Sequence, residues 1–186
     1  YILLFLPITF FAYYYLISKR LIFLSKGLLV FSSLFFYTWW NFDFFPLILM
    51  SIIVNFSIGS EISKAQEDEK ARVKNKTLLI FGILFNLAAL GYFKYFNFIV
   101  DNINLFMTRP FEVEKIVLPL AISFFTFQQI AYLVDSYKGQ TREYDFLTYA
   151  LFVSFFPQLI AGPIVAHHEI IPQFKNIKKR KNKRNR

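Results

Sequence analysis

The sequence predicts an all-α polytopic membrane protein. Of its 186 residues, 56% are hydrophobic and 21% are aromatic. Several apolar runs approach or exceed the roughly 18 residues that mark a membrane-span candidate, and charged segments separate them. We expect about five transmembrane helices plus a re-entrant helical hairpin. The absence of cysteine excludes disulfides and thiolate metal sites and leaves the redox compartment open.

Five apolar runs predict the spans, at about residues 2–17, 22–40, 44–59, 77–99 and 118–136. The second run ends in Tyr37, Trp39 and Trp40, an aromatic belt typical of the headgroup level. Residues 60–76 are rich in charge and predict a solvated connector that is helical in part. Residues 100–117 mix charged and apolar side chains, which is typical of an interfacial segment.

The net charge of +9 belongs to one end of the chain. Residues 175–186 hold eight Lys and Arg and no acid, so residues 1–174 are almost neutral. This basic segment is either a cytoplasmic tail or a truncated loop, and it could bind anionic lipid or simply be solvated. It has no interleaved aromatics and no nucleic-acid module, so we expect no nucleic-acid partner.

The positions of Lys and Arg predict the topology. The loops at 18–26, 60–76 and 138–142 carry ten of them, whereas 41–43 and 100–117 carry only Arg109 and Lys115. The positive-inside rule then places the N-terminus outside and the three basic loops, with the tail, in the cytoplasm. Residues 143–174 must begin and end on the same side. They therefore predict a re-entrant hairpin lining a cavity, because such backbone is tolerated only in protein or against water.

The fifth run carries polar residues on one helical face. At 100° per residue, Gln128, Tyr132 and Asp135 align, with Phe125 beside them. This stripe could line a polar path through the membrane. The alternative is that the amide and phenol hold helices together and that Asp135 simply sits at the cytoplasmic boundary.

The last apolar run is broken within FPQLIAGP, residues 156–163. Pro157 lacks an amide donor, and Gly162-Pro163 disfavours a continuing helix. The freed carbonyls and amides could hold a polar substrate, or the segment could be a plain kink. His167 and His168 follow without metal-ligand spacing, so we predict no metal site and two interfacial histidines that could titrate near neutrality.

Four separate stretches resemble one protein family. They are FYTWWNFDFFPLILMSIIVNFSIG (36–59), LGYFKYFNFIVDNIN (90–104), LPLAISFFTFQQIAYLVDSYKG (118–139) and FLTYALFVSFFPQLIAGPIVAHHEIIPQF (146–174). In this order they resemble the membrane-bound O-acyltransferase family, in its alginate O-acetyltransferase-like bacterial polysaccharide branch.

The resemblance implies a ring of tilted helices around a central tunnel, of which this chain would be the N-terminal portion. It implies transfer of acetyl groups to envelope or exported polysaccharide in the bacterial plasma membrane, often with an extracytoplasmic acetyltransferase partner. Acetyl-coenzyme A is the implied donor, with no tightly bound cofactor. The tunnel residues we expect on this basis are Gln128, Tyr132, Asp135, Gln158, Gly162 and Pro163.

One departure from the family limits this expectation. Its catalytic histidine stands in a downstream Trp-His-Gly context that this sequence lacks, and family members are about twice as long or longer. We therefore carry no catalytic role onto His167 or His168 and grant them at most a minor one. Residues 1–174 are expected to be a partial transmembrane domain that is inactive alone. A transporter or channel-like module and a non-catalytic scaffold remain the alternatives.

Overall fold

The computed structural model describes residues 2–65, 72–108, 112–141, 145–155 and 157. Within these ranges the chain is helical and forms no strand. The elements are α1 (Ile2–Ser18), α2 (Ile22–Trp40), a 3-10 turn (Phe42–Phe44), α3 (Phe45–Lys64), α4 (Arg72–Asn104), α5 (Ile122–Tyr137) and α6 (Phe146–Ser154). The predicted fold class is confirmed: this is an all-α polytopic membrane protein.

In the part of the chain that the structure describes, three helices are long and apolar enough to cross a bilayer. They are the segments Ile22–Trp39, Phe42–Lys64 and Val73–Asn104. Helices α1 and α5 have 17 and 16 residues, fewer than the roughly 20 that a straight span needs. The predicted number of five spans therefore stays a prediction.

The helices extend further into the charged connector at 60–76 than the apolar runs indicated. Helix α3 continues to Lys64 and α4 begins at Arg72. The amide of Asn75 donates to the carbonyl of Ile62 at 3.4 Å and ties the two helix ends together. A helix makes its backbone hydrogen bonds internally, also outside the apolar layer. Charged residues at 60–64 and 72–76 therefore do not terminate α3 and α4. The expectation of a partly helical connector is confirmed.

Helix α5 packs tightly against both α3 and α4 through two glycines. A Cβ added at Gly59 of α3 would lie 2.2 Å from Cε1 of Tyr132, and one added at Gly82 of α4 would lie 2.6 Å from Cδ1 of Leu133. An added methyl group would have to displace the Tyr132 ring at Gly59 and the end of the Leu133 side chain at Gly82. Small residues allow close approach where lipid offers no hydrophobic drive. These two glycines therefore fix the position of α5 in the bundle.

Side-chain contacts give the directions of the helices. Asn55 pairs with Asn86 and Phe44 with Phe93, so α3 and α4 are antiparallel. Asn97, late in α4, bonds Ile116, which precedes α5. Gly82, earlier in α4, lies against Leu133 within α5. Helix α5 is therefore antiparallel to α4. Helices α3 and α5 consequently run in the same direction.

The remaining contacts bring three connections to one end of the bundle. Phe5 stacks on Phe35 with ring centroids 6.0 Å apart, so α1 and α2 are antiparallel. Lys26, near the start of α2, bonds Asp145 at the start of α6. The connections at 18–22, 64–72 and 137–145 therefore share one end. These are the three loops that the charge pattern assigned to the cytoplasm.

Candidate functional site

A buried hydrogen-bonded pair joins α3 to α5. The hydroxyl of Ser51 lies 3.2 Å from Oε1 of Gln129, and Nε2 of Gln129 donates to that hydroxyl at 3.0 Å. Both side chains are buried. Hydrocarbon offers no hydrogen-bond partner to a polar side chain. The Ser51 hydroxyl and the Gln129 amide therefore satisfy each other inside the bundle.

A second buried pair joins α3 to α4. Asn86 donates to Oδ1 of Asn55 at 2.6 Å, and Asn55 donates back at 3.3 Å. Each amide also donates to a carbonyl of its own helix, at Ser51 (2.9 Å) and Gly82 (2.7 Å). These amides connect helices, as polar side chains commonly do in membrane bundles.

Gln128, the neighbour of Gln129, has a different environment. It is 1% exposed, and neither its Oε1 nor its Nε2 has a hydrogen-bond partner among the described residues. It lies on the buried face of α5 with Phe125 and Tyr132, as the helical spacing predicted. An unpaired buried amide costs about 1–3 kcal/mol, which makes Gln128 a candidate for function rather than for helix packing.

Two tyrosine rings pack against each other next to this face, with a tilt of 46° between them. The rings of Tyr132 and Tyr149 lie 4.4 Å apart, and both side chains are fully buried. Tyr132 rests on Gly59, and the hydroxyl of Tyr149 has no partner within the described part of the chain. Sequence reasoning missed Tyr149 because it sits in a run of aromatics. Its one signal is a phenol within an apolar run, away from the interfacial belt where tyrosine is usual.

Asp135 lies in the last turns of α5, at the end of the same face. It is half-buried, and its carbonyl accepts from the amides of Gln140 at 2.9 Å and Thr141 at 3.4 Å. The structure thus brings Gln128 and Tyr132 together in the core and places Asp135 at the basic end of the bundle. Seven residues of helix separate Gln128 from Asp135, about 10 Å along the axis.

A polar cluster that the sequence did not predict joins α2 to α6. Lys26 Nζ donates to Asp145 Oδ2 and to the hydroxyl of Thr148, which also donates to Asp145. Burial alone would raise the pKa of Asp145, but the hydrogen bonds from Lys26 and Thr148 and the charge of Lys26 lower it overall. The only sequence signal of this polar cluster is a charged residue near the start of each of the two apolar runs that form α2 and α6.

The other predicted site residues lie outside the described residues. These are Gln158, Gly162, Pro163, His167 and His168. Pro157 is described, but the hairpin predicted around it is not, so that hairpin and its cavity stay predictions. Among the described residues there is no group of three or more His, Cys, Asp or Glu side chains that could hold a metal ion.

A cavity of about 440 Å³ lies at the opposite end of the bundle from Asp135. It is lined by Phe96, Asn97, Val100, Asp101, Asn104, Glu112, Val113, Glu114 and Lys115. Asn97 holds the segment after α4 in place: its Nδ2 donates to the carbonyl of Ile116 at 2.7 Å, and its Oδ1 accepts from the Ile116 amide at 2.9 Å. The described members of the predicted tunnel set, Gln128, Tyr132 and Asp135, do not line this cavity.

Proteins with known names match nearly the whole chain. It is 43% identical over 92% of its length to the peptidoglycan O-acetyltransferase of Helicobacter pylori. It is 39% identical over 94% of its length to the probable alginate O-acetylase AlgI of Pseudomonas aeruginosa, and 38% over 95% to that of Pseudomonas syringae pv. tomato. The chain belongs to the membrane-bound O-acyltransferase family.

The match to the membrane-bound O-acyltransferases covers only part of each relative. The chain spans 37%, 33% and 34% of the lengths of these three proteins, about one third of each. No family model and no solved structure matches the chain. The family predicted from the four motifs is thus confirmed, whereas the tunnel roles of individual residues remain predictions.

Proposed function

We propose that this chain forms part of a membrane O-acetyltransferase that transfers acetyl groups to hydroxyls of an envelope or exported polysaccharide. The observation that carries this proposal is identity of 38–43% over at least 92% of the chain to proteins named for this reaction. The acceptor is a polysaccharide of the class that those names give, either peptidoglycan or an alginate-like polymer.

The buried face of α5 supports a role in the transfer path. Gln128 and Tyr132 are polar groups inside a bundle whose outer surface is apolar, and Asp135 continues the face to the basic end. We assign these three residues, with Gln158, Gly162 and Pro163, to the path wall. Amide and phenol groups can hydrogen-bond an acyl carbonyl or a hydroxyl, which positions the reactants. We assign no general base among them.

The charges of the bundle support an orientation and a donor. The end with the connections at 18–22, 64–72 and 137–145 carries seven described cations against three acids. The cations are Lys19, Arg20, Lys26, Lys64, Lys74, Lys76 and Lys138, and the acids are Glu61, Asp135 and Asp145. The opposite end carries the acids Asp43, Asp101, Glu112 and Glu114, with the cations Lys94 and Lys115.

By the positive-inside rule the cationic end faces the cytoplasm of a bacterial plasma membrane, and the N-terminus lies outside. Acetyl-coenzyme A, an anionic cytoplasmic donor, would then approach the cationic end. Residues 175–186 add eight cations that would contact anionic lipid on the same side. On the outer side, the polysaccharide and an extracytoplasmic acetyltransferase would receive the acetyl group.

Acetylation by the gene product that contains these residues tests the function. Membranes that contain this gene product are supplied with radiolabelled acetyl-coenzyme A. Transfer of the label is then measured into peptidoglycan and into alginate. We expect label in one of the two polymers and loss of that label in Gln128→Leu. Absence of label in both polymers, at normal protein abundance, would reject the proposed activity. Polymer label in Gln128→Leu equal to that of the parent protein would reject the path assignment of Gln128.

Labelling of single cysteines tests the orientation separately. The chain has no cysteine of its own, so Asp43→Cys and Lys138→Cys each report one end of the bundle. In intact cells we expect an impermeant maleimide to label Asp43→Cys, and to label Lys138→Cys only after permeabilisation. The reverse pattern would overturn the orientation without bearing on the reaction.

A further inference from the structure

Helix α6 is a short half-helix whose residues are enclosed from Thr148 onward. It has nine residues, about 13.5 Å of helix, and the hydrocarbon layer is about 30 Å thick. Every residue from Thr148 to Ser154 is buried. Apart from Thr148, Tyr149 and Ser154, the residues of α6 are apolar, so burial of apolar surface holds the helix inside the bundle without selecting its depth or its rotation.

One polar cluster marks a single position for this helix. Lys26 Nζ, Asp145 Oδ2 and Thr148 Oγ1 lie within hydrogen-bonding distance of one another, across 119 residues of sequence. The Lys26 side chain is 17% exposed and that of Asp145 is 43% exposed. A polar contact in an otherwise apolar interface favours one register, because a shifted arrangement separates the partners of the ion pair.

The residue after Thr148 makes the contact that matters for the site. The Tyr149 ring packs in a tilted arrangement against Tyr132, with centroids 4.4 Å apart, and against Phe56, with centroids 5.5 Å apart. A shift of α6 by one turn, about 5.4 Å, would remove Tyr149 from this place. The contact of Tyr149 with Tyr132 on the buried face of α5 therefore depends on how α6 is held.

We propose that Lys26, Asp145 and Thr148 form a clasp that sets the depth of α6 and thereby positions Tyr149 against Tyr132 in the acyl-transfer path. The functional half of this inference rests on the proposed function. The three residues are positioning residues: they act through α6 and need not touch the substrate. Their geometry joins the start of α2 to the start of α6, where a half-helix enters the bundle.

Protection of a buried cysteine tests the clasp without an activity assay. Ala150 is 2% exposed, and Ala150→Cys would be the single cysteine in this part of the protein. We expect Lys26→Met and Asp145→Asn each to raise the maleimide labelling rate of Ala150→Cys roughly fivefold, the effect of losing a partly exposed ion pair. The exchange Lys26→Glu with Asp145→Lys should restore most of the protection.

A matched ion pair provides the control. Lys64 and Glu61 bond at 3.2 Å with side chains 59% and 55% exposed, and they lie within one helix. Lys64→Met should leave labelling of Ala150→Cys unchanged. Unchanged labelling in both Lys26→Met and Asp145→Asn, at normal protein levels, would overturn the clasp. The clasp would also be overturned if the exchange variant were labelled at Ala150→Cys as fast as the single variants are.

Acetyl transfer by the same variants tests the functional half. We expect transfer rates to fall in Lys26→Met and Asp145→Asn and to recover in the exchange variant, with the unmodified rate in Lys64→Met. If labelling rises while transfer is unchanged, α6 is not positioned for the reaction and that half is overturned. If the parent protein transfers no acetyl group, the proposed function fails, and cysteine labelling still decides the clasp.

Discussion

Two interfaces of the same helix treat polar residues in opposite ways. Where α5 and α3 meet, Gln129 shares two hydrogen bonds with Ser51, and the nearby Asn55 and Asn86 satisfy each other. On the adjacent face, Gln128 and the hydroxyl of Tyr149 are buried without a partner among the described residues. The paired groups explain how the helices assemble. The unpaired groups cost stability, so their presence indicates a role other than assembly.

This contrast predicts that substitutions at the paired face lower stability, whereas substitutions at the unpaired face lower activity. Gly59 and Asn86 test helix assembly, at the contact of α3 with Tyr132 of α5 and at the amide pair between α3 and α4. Asp145 tests the clasp at α6, and Gln128 tests the unpaired face of α5.

Gly59→Ala should have the largest effect on stability. The new Cβ would stand 2.2 Å from Cε1 of Tyr132, so the ring or the helix must move. We expect a loss of about 2 kcal/mol, within the usual range for overpacking. Thermal unfolding in detergent measures it. Gly91→Ala is the control, because a Cβ there has no atom within 4 Å. Equal stability of the two variants would contradict the close packing of α5 on α3.

Asn86→Leu should cost somewhat less, about 1.5 kcal/mol, because it leaves the buried amide of Asn55 with one partner fewer. The double variant Asn55→Leu/Asn86→Leu removes both amides and should lose less than the sum of the two single variants. A double-mutant cycle measures this coupling. Simple additivity would show that the two amides do not support each other in the bundle.

The pH dependence of the clasp is the third prediction. The partners of Asp145 lower its pKa in the folded protein, so its contribution to stability is present at neutral pH and above the usual carboxylate pKa. It is lost as the pH falls through the lowered pKa, when the folded carboxylate is protonated. Because Asp145 is partly exposed, we expect a contribution of about 1 kcal/mol at most.

Unfolding of the parent protein and of Asp145→Asn at pH values from 7 down to 3 measures this contribution. The difference in stability between the two proteins should shrink toward acid pH. A difference that grows as the pH falls would contradict the assigned direction of the pKa shift.

Patterns along the sequence predicted the helices and the shared face, because both follow from helical periodicity. The predicted span at 22–40 coincides with α2, and Phe125, Gln128 and Tyr132 lie together as expected. Periodicity could not tell which glutamine is satisfied. Gln128 and Gln129 differ by 100° of rotation, and the partner of Gln129 is 78 residues away.

The clasp lay beyond sequence reasoning for the same reason. Lys26 and Asp145 are 119 residues apart, and neither stands out within its own segment. Their meeting depends on α2 and α6 starting at the same end of the bundle, which local patterns do not encode. Gly59 and Gly82 were likewise ordinary until Tyr132 and Leu133 were placed against them.

Gln128→Leu separates the two faces most sharply, because its expected effect on stability is the smallest. Leucine has a similar volume and removes an amide that has no described partner, so stability should be unchanged or slightly higher. Gln129→Leu is the matched control: it leaves Ser51 unpaired and should lower stability by about 1 kcal/mol. Acetyl transfer, measured on equal amounts of folded protein, should fall at least roughly tenfold in Gln128→Leu, the loss of one positioning hydrogen bond, and much less in Gln129→Leu. If Gln128→Leu destabilises the bundle as Gln129→Leu does, then Gln128 is a packing residue and the distinction between the two faces of α5 is wrong.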